Sequence, residues 1–141
     1  MAGSNSDVNV TFISDEVAAD PNGFSASAQV ANNAALTLGG ALASGGSVTL
    51  GSARTVSITS GGNDSGISFN VVGTDLDGVS LTENITGGNA GAVTGSSFFK
   101  TIVSITAVGD PAGTVLAGTT GVAADIIFGG RTRLKGYSIV S

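Results

Sequence analysis

Between Arg54 and Gly118 the chain repeats one arrangement. A few residues alternate Val, Ile or Phe with Ser, Thr or Asn, and then comes a break of Gly beside Asn, Asp, Ser or a second Gly. A period of two puts apolar side chains on one face of an extended strand, while Gly, Asn and Asp supply the backbone conformations of tight turns. The pattern predicts short strands joined by hairpins. Val56 and Ile58 oppose Thr55, Ser57 and Thr59; Ile67, Phe69 and Val71 form the next inward face; the break Asp75–Gly78, with its Asp-Gly hairpin signal, leads to Val79, Leu81 and Ile85. Upstream, Leu36 and Leu38 precede Gly39-Gly40, and Val48 and Leu50 follow Gly45-Gly46.

The run Phe98 to Val108 has apolar residues at both parities, with Phe99, Val103, Ile105 and Ala107 on one face and Phe98 and Ile102 on the other. That predicts a strand buried on both sides. Strands spaced about ten residues apart favour an all-β, single-domain antiparallel β-sandwich or small barrel of about eight to ten strands. No helix is expected beyond a turn around Gln29 to Ala34.

Residues 1–34 differ from the rest and are expected to form an extended N-terminal arm and loop, with the sandwich or barrel domain over 35–141. The arm has one apolar alternation, Val8, Val10 and Phe12, and DPNGFSAS (Asp20 to Ser27) has the composition of a turn. Asp7, Asp15, Glu16 and Asp20 fall in this region without a base, whereas Arg131, Arg133 and Lys135 cluster near the other end. Two readings stay open: solvated ends, or charges that set register against complementary patches on neighbouring subunits.

Composition narrows the function. The 141 residues include 23 Gly, no Cys and no His, and the net charge is −5. Disulfide and thiolate chemistry are excluded, and the commonest general base is missing. Charged residues make up 11%, against a usual ~25%; so few charges protect a lone monomer poorly against association, which favours a homo-oligomer. An acidic chain with few aromatics is a poor nucleic-acid partner. No apolar run reaches the ~18 residues of a membrane helix, and the N-terminus shows no basic and apolar secretory pattern.

Each motif has a plain structural explanation. TDLDG (Thr74 to Gly78) supplies too few oxygen ligands for a calcium loop, since Val79 and Leu81 follow where ligands are needed. GGNDSG (Gly61 to Gly66) lacks the Lys and helix start of a phosphate loop and is expected to be a hairpin loop. Asp75, Asp77 and Glu83 offer paired carboxylates but no aromatic sugar platform accompanies them, and no GxSxG elbow is present. The expectation is no enzyme, no cofactor and no metal. Phe98 has two readings, a core strand residue or an exposed contact to a neighbouring subunit.

The stretches GALASGGSVTL (Gly40 to Leu50), RTVSITSGGNDSGISFNVVGTDLDG (Arg54 to Gly78) and ENITGGNAGAVTGSSFFKTIVSITAVGDPAGTVLAG (Glu83 to Gly118) resemble a recurring small structural protein of tailed-bacteriophage virions. The resemblance lies in the order of the turns and implies no catalytic residue. It implies a head-decoration (cement) protein on the outer capsid surface, made in the host cytoplasm, a homotrimer or homodimer whose partners are the major capsid protein and itself. A tail, neck or fibre-associated component, or a carbohydrate-binding or adhesive β-sandwich, are the alternatives. The expected subunit or capsid contacts are Val8, Val10 and Phe12 in the arm, Phe98, and Arg131, Arg133, Tyr137 and Ile139 in the tail.

Overall fold

The computed structural model describes residues 19–124. They form eight strands and no helix: β1 Asp20–Gln29, β2 Ala43–Ser44, β3 Ser47–Ser60, β4 Ser68–Thr74, β5 Ser80–Thr86, β6 Ala92–Thr94, β7 Phe99–Val108 and β8 Thr114–Ala124. All pair antiparallel in one sheet of order β1-β8-β3-β7-β4-β5, with β2 and β6 on β3. The all-β antiparallel expectation therefore holds. Val8, Val10, Phe12, Arg131, Arg133, Tyr137 and Ile139 lie outside the described residues.

The sheet turns over on itself because β3 serves two sets of partners. Its first half lies beside β7 (Val48↔Ile102, Thr49↔Thr101). Its second half lies between β8 (Val56↔Thr119 to Ser60↔Val115) and β6 (Ser57↔Thr94 to Thr59↔Ala92). Register shifts in the Thr49–Val56 stretch mark the bend. The chain after β1 makes a similar transfer: Ala34–Leu36 joins β7, with Leu36 N–H donating to Ile105 O at 2.8 Å and Ala107 N–H to Ala34 O at 2.9 Å. Between the layers sit Phe24, Ile58, Phe69, Phe99, Ile102 and Ile105, all fully buried. Alternation in β4 (Phe69 and Val71 in, Ser68, Asn70 and Val72 partly exposed) produces one side of this core.

Two breaks close hairpins between consecutive strands. Gly45 and Gly46, at φ 63° and 83°, form a two-residue turn between Ala43↔Val48 and Ser44↔Ser47, the type I′ geometry. The Asp75–Gly78 break is a longer loop: Gly78 N–H donates to Asp75 O, Asp75 N–H to Val79 O, and among Leu76, Asp77 and Gly78 only Gly78 has positive φ. That excludes type I′ there and leaves Val79 exposed rather than inward. GGNDSG is not a hairpin loop, since β3 and β4 are separated by β7 in the sheet. Gly61 and Gly62 serve close packing against Thr114 and Ala112.

Two further expectations are corrected. DPNGFSAS is not a turn but the start of β1. Asp20 pairs with Thr119 and Ser25 with Ala117, so the Pro-Asn-Gly stretch is absorbed as a bulge. Pro21 is tolerated because β1 is an edge strand. The loop assigned to residues 1–34 thus includes a paired strand. The other correction concerns β7, where Val103 was expected on the buried face with Phe99, Ile105 and Ala107. Val72 pairs with Ser104 but Gly73 with Ile102, so Val103 is an extra residue. This bulge brings Ile102 into phase with Ile105 and Ala107 on the inward side and turns Val103 out, 55% exposed; Phe99, three residues before Ile102 and so at the opposite parity, is fully buried as well. Gly73 is required there, because a Cβ would collide with the Thr101 carbonyl.

Candidate contact surface

The outward side of β7, β4 and β5 is a continuous face. From β4 it presents Ser68, Asn70, Val72 and Thr74, and from β5 Ser80, Thr82, Asn84 and Thr86. β7 adds Thr101, Val103, Ser104, Thr106 and Val108. None of these residues carries a charge. Cross-strand hydrogen bonds order the polar side chains: Asn70 Nδ2 donates to Asn84 Oδ1 at 2.9 Å, and the Thr74 and Thr101 hydroxyls pair at 2.7 Å. Val103 and Val108, 55% and 50% exposed, add apolar area. Such a face loses little on dehydration, because it holds no ion and some of its polar groups already satisfy each other.

One end of the molecule is built differently. Loops 61–66, 87–91 and 109–113 interlock through backbone hydrogen bonds, Gly61 N–H to Thr114 O, Asp64 N–H to Gly88 O and Ala90 N–H to Gly62 O. Asp64, 1% exposed, sits among them, and its Oδ1 accepts the Ala112 N–H at 2.6 Å. Its Oδ2 has no hydrogen-bond partner among the described residues. Gly87 lies so close that a Cβ would meet the Asp64 backbone and side chain. Their chemistry is that of a structural knot.

The carboxylates weighed as a catalytic pair are separated by role. Asp75 Oδ1 accepts the N–H groups of Asp77 and Val79, both at 2.9 Å, and so shapes its own hairpin. Glu83 points to the inner side of β5, where Oε1 accepts the N–H and hydroxyl groups of Ser96 and Ser97 and clasps that loop to the strand. Among the described residues no cluster of three metal-ligating side chains occurs.

Of the contacts expected from sequence, Phe98 alone falls among the described residues. It is half-buried just before β7, while Phe99 is fully buried. The charge-free face was missed because Val103 was assigned inward. A signal was present: Gly73 inside an apolar strand marks a bulge or a close backbone approach. Comparison with protein-family models, curated proteins and solved structures gives no match.

Proposed function

We propose that the protein is a non-enzymatic structural component of a tailed-bacteriophage virion, a decoration (cement) protein that stabilises the head from its outer surface. The observation that carries this reading is the uncharged, hydrogen-bond-ordered face of β7, β4 and β5. A sheet face without ions suits a protein surface, and the order of turns resembling virion proteins supplies the context. The arm residues Val8, Val10 and Phe12 add a strand to the shell, and Arg131, Arg133, Tyr137 and Ile139 supply further contacts. Phe98 serves the contact between subunits of a homotrimer or homodimer. Each contact is modest, and many copies on one particle make the sum strong.

The reading is tested by light scattering of the purified protein and co-sedimentation with expanded empty capsids. A discrete dimer or trimer that saturates capsids at a fixed ratio is expected. Indifference to capsids, with growth into tubes or fibres, transfers the assignment to a tail or fibre part; glycan-array binding transfers it to an adhesive module.

A further inference from the structure

The strand order ends in β1 on one side and β5 on the other, and the two edges are built differently. β1 carries Pro21 and two register shifts, and the segment before β2 bonds to it, with Leu42 N–H donating to Gly23 O at 2.7 Å and Gly40 N–H to Phe24 O at 2.9 Å. Proline, bulges and a covering loop keep an edge from pairing with another chain. β5 has none of them. It pairs with β4 over seven residues without a shift, Ser68↔Thr86 to Thr74↔Ser80, and contains no Pro, Lys or Arg.

The phase of that ladder shows what β5 offers. Asp75 N–H donates to Val79 O, and Gly87 N–H to Ile67 O. Antiparallel ladders alternate, so Leu81, Glu83 and Ile85 turn their backbone groups to β4, and Ser80, Thr82, Asn84 and Thr86 turn theirs to the open side. Among the described residues none pairs with that side. The side chains of the same four residues are exposed and uncharged. Glu83 is the strand's single ion, and it is turned inward, where its Oε1 accepts the Ser96 and Ser97 N–H groups.

We propose that β5 pairs edge to edge with β5 of a second copy, antiparallel about a two-fold axis through Asn84. Charge favours this occupant: copies with a net charge of −5 meet at lowest cost where no charge faces out. The side chains also suit themselves. An axis through Glu83 would set two carboxylates opposite one another. An axis through Asn84 sets Glu83 opposite Ile85 of the second copy, Thr82 opposite its Thr86, and Asn84 opposite its Asn84. Asn with Asn and Thr with Thr are pairs that the sheet already makes internally, at Asn70–Asn84 and Thr74–Thr101. Asn84 Oδ1 accepts the Asn70 amide, and its own Nδ2 donates to no described residue, so a donor is left for the axis. The described residues begin beside β1 and end in β8, at the other end of the strand order. The inference does not depend on the virion reading, although the two agree: the pairing carries the uncharged face of β7, β4 and β5 into the second copy on the same side of the sheet.

Light scattering of the full-length protein alone is expected to give a dimer. A monomer or a trimer overturns the proposal, whether or not the protein binds capsids. Asn84→Asp keeps an acceptor for Asn70 but sets two carboxylates across the axis; it is expected to raise the dimer dissociation constant on the order of tenfold or more at neutral pH, with the circular dichroism spectrum unchanged. An unaltered dissociation constant overturns the pairing. The chain has no cysteine, so single substitutions report the register. Residues opposite one another in a hydrogen-bonded pair stand about 5.5 Å apart at Cα, within disulfide range. Oxidised Asn84→Cys is expected to run as a covalent dimer on non-reducing electrophoresis, and Thr82→Cys, which faces Thr86 of the second copy, as a monomer. No cross-link at Asn84→Cys, or as much at Thr82→Cys, overturns the proposed axis.

Discussion

The loop knot around Asp64 and the outward face of β7, β4 and β5 are opposite solutions to placing polar residues in a chain with few charges. In the knot, three loops satisfy each other's backbone groups, and glycine is needed because Asp64 and its neighbours leave no room for a Cβ. On the face, side chains are large enough to satisfy one another across strands, yet their identity is not dictated by packing. The knot's sequence is explained by its own stability. The face's lack of charge is not, since lysine or glutamate would be tolerated on an exposed strand, and this is why it points to a partner.

The comparison breaks first at Gly87. Gly87→Ala drives a methyl group into Asp64 and its backbone and is expected to cost about 3 kcal/mol or more, visible as a lower urea midpoint. Asp64→Ala follows at roughly 2–3 kcal/mol, because the Ala112 N–H loses the buried carboxylate that accepts it; Asp64→Asn, which keeps an acceptor oxygen, costs less. If the two Asp64 variants behave alike, the hydrogen bond is not what holds the knot. On the face, Asn70→Ala removes one exposed cross-strand bond and costs about 0.5–1 kcal/mol. Val103→Lys changes stability by less than about 0.5 kcal/mol. Its effect is on association: capsid co-sedimentation of Val103→Lys should fall at least tenfold while the thermal midpoint stays put. Unchanged capsid binding by Val103→Lys would remove the face from the proposed contact.

Alternation made β4 legible, because burial there follows a strict period of two, whereas β3 is buried without a break from Ala53 to Ile58. β7 defeated that logic. One extra residue at Val103 resets the parity, so Ile102 joins Ile105 and Ala107 on the inner side while Val103 turns out. Turn chemistry was ambiguous in a different way. Gly45-Gly46 closes a hairpin while Gly61-Gly62 packs between loops, and the distinction depends on which strands later lie alongside. Asp20–Gly23 has turn residues because a bulge opposite Gly118 needs the same backbone freedom as a turn. The uncharged face was present in the sequence as Ser, Thr and Asn at alternate positions, but its continuity across β4, β5 and β7 came only with the register.

The double membership of β3 has a consequence for synthesis. Val48 waits for Ile102, and Val56 for Thr119, so apart from the short β2 hairpin the strand at the centre of the sheet has no partner while the first half of the chain emerges from the ribosome. Pairings between distant segments are slow to form, and until they form the apolar side of β3 is available to any passing strand. The nascent chain therefore stays open almost to the end of β8 and then closes in a single late event. Its low-charge composition makes that interval, rather than the finished fold, the point at which expression at high temperature should fail.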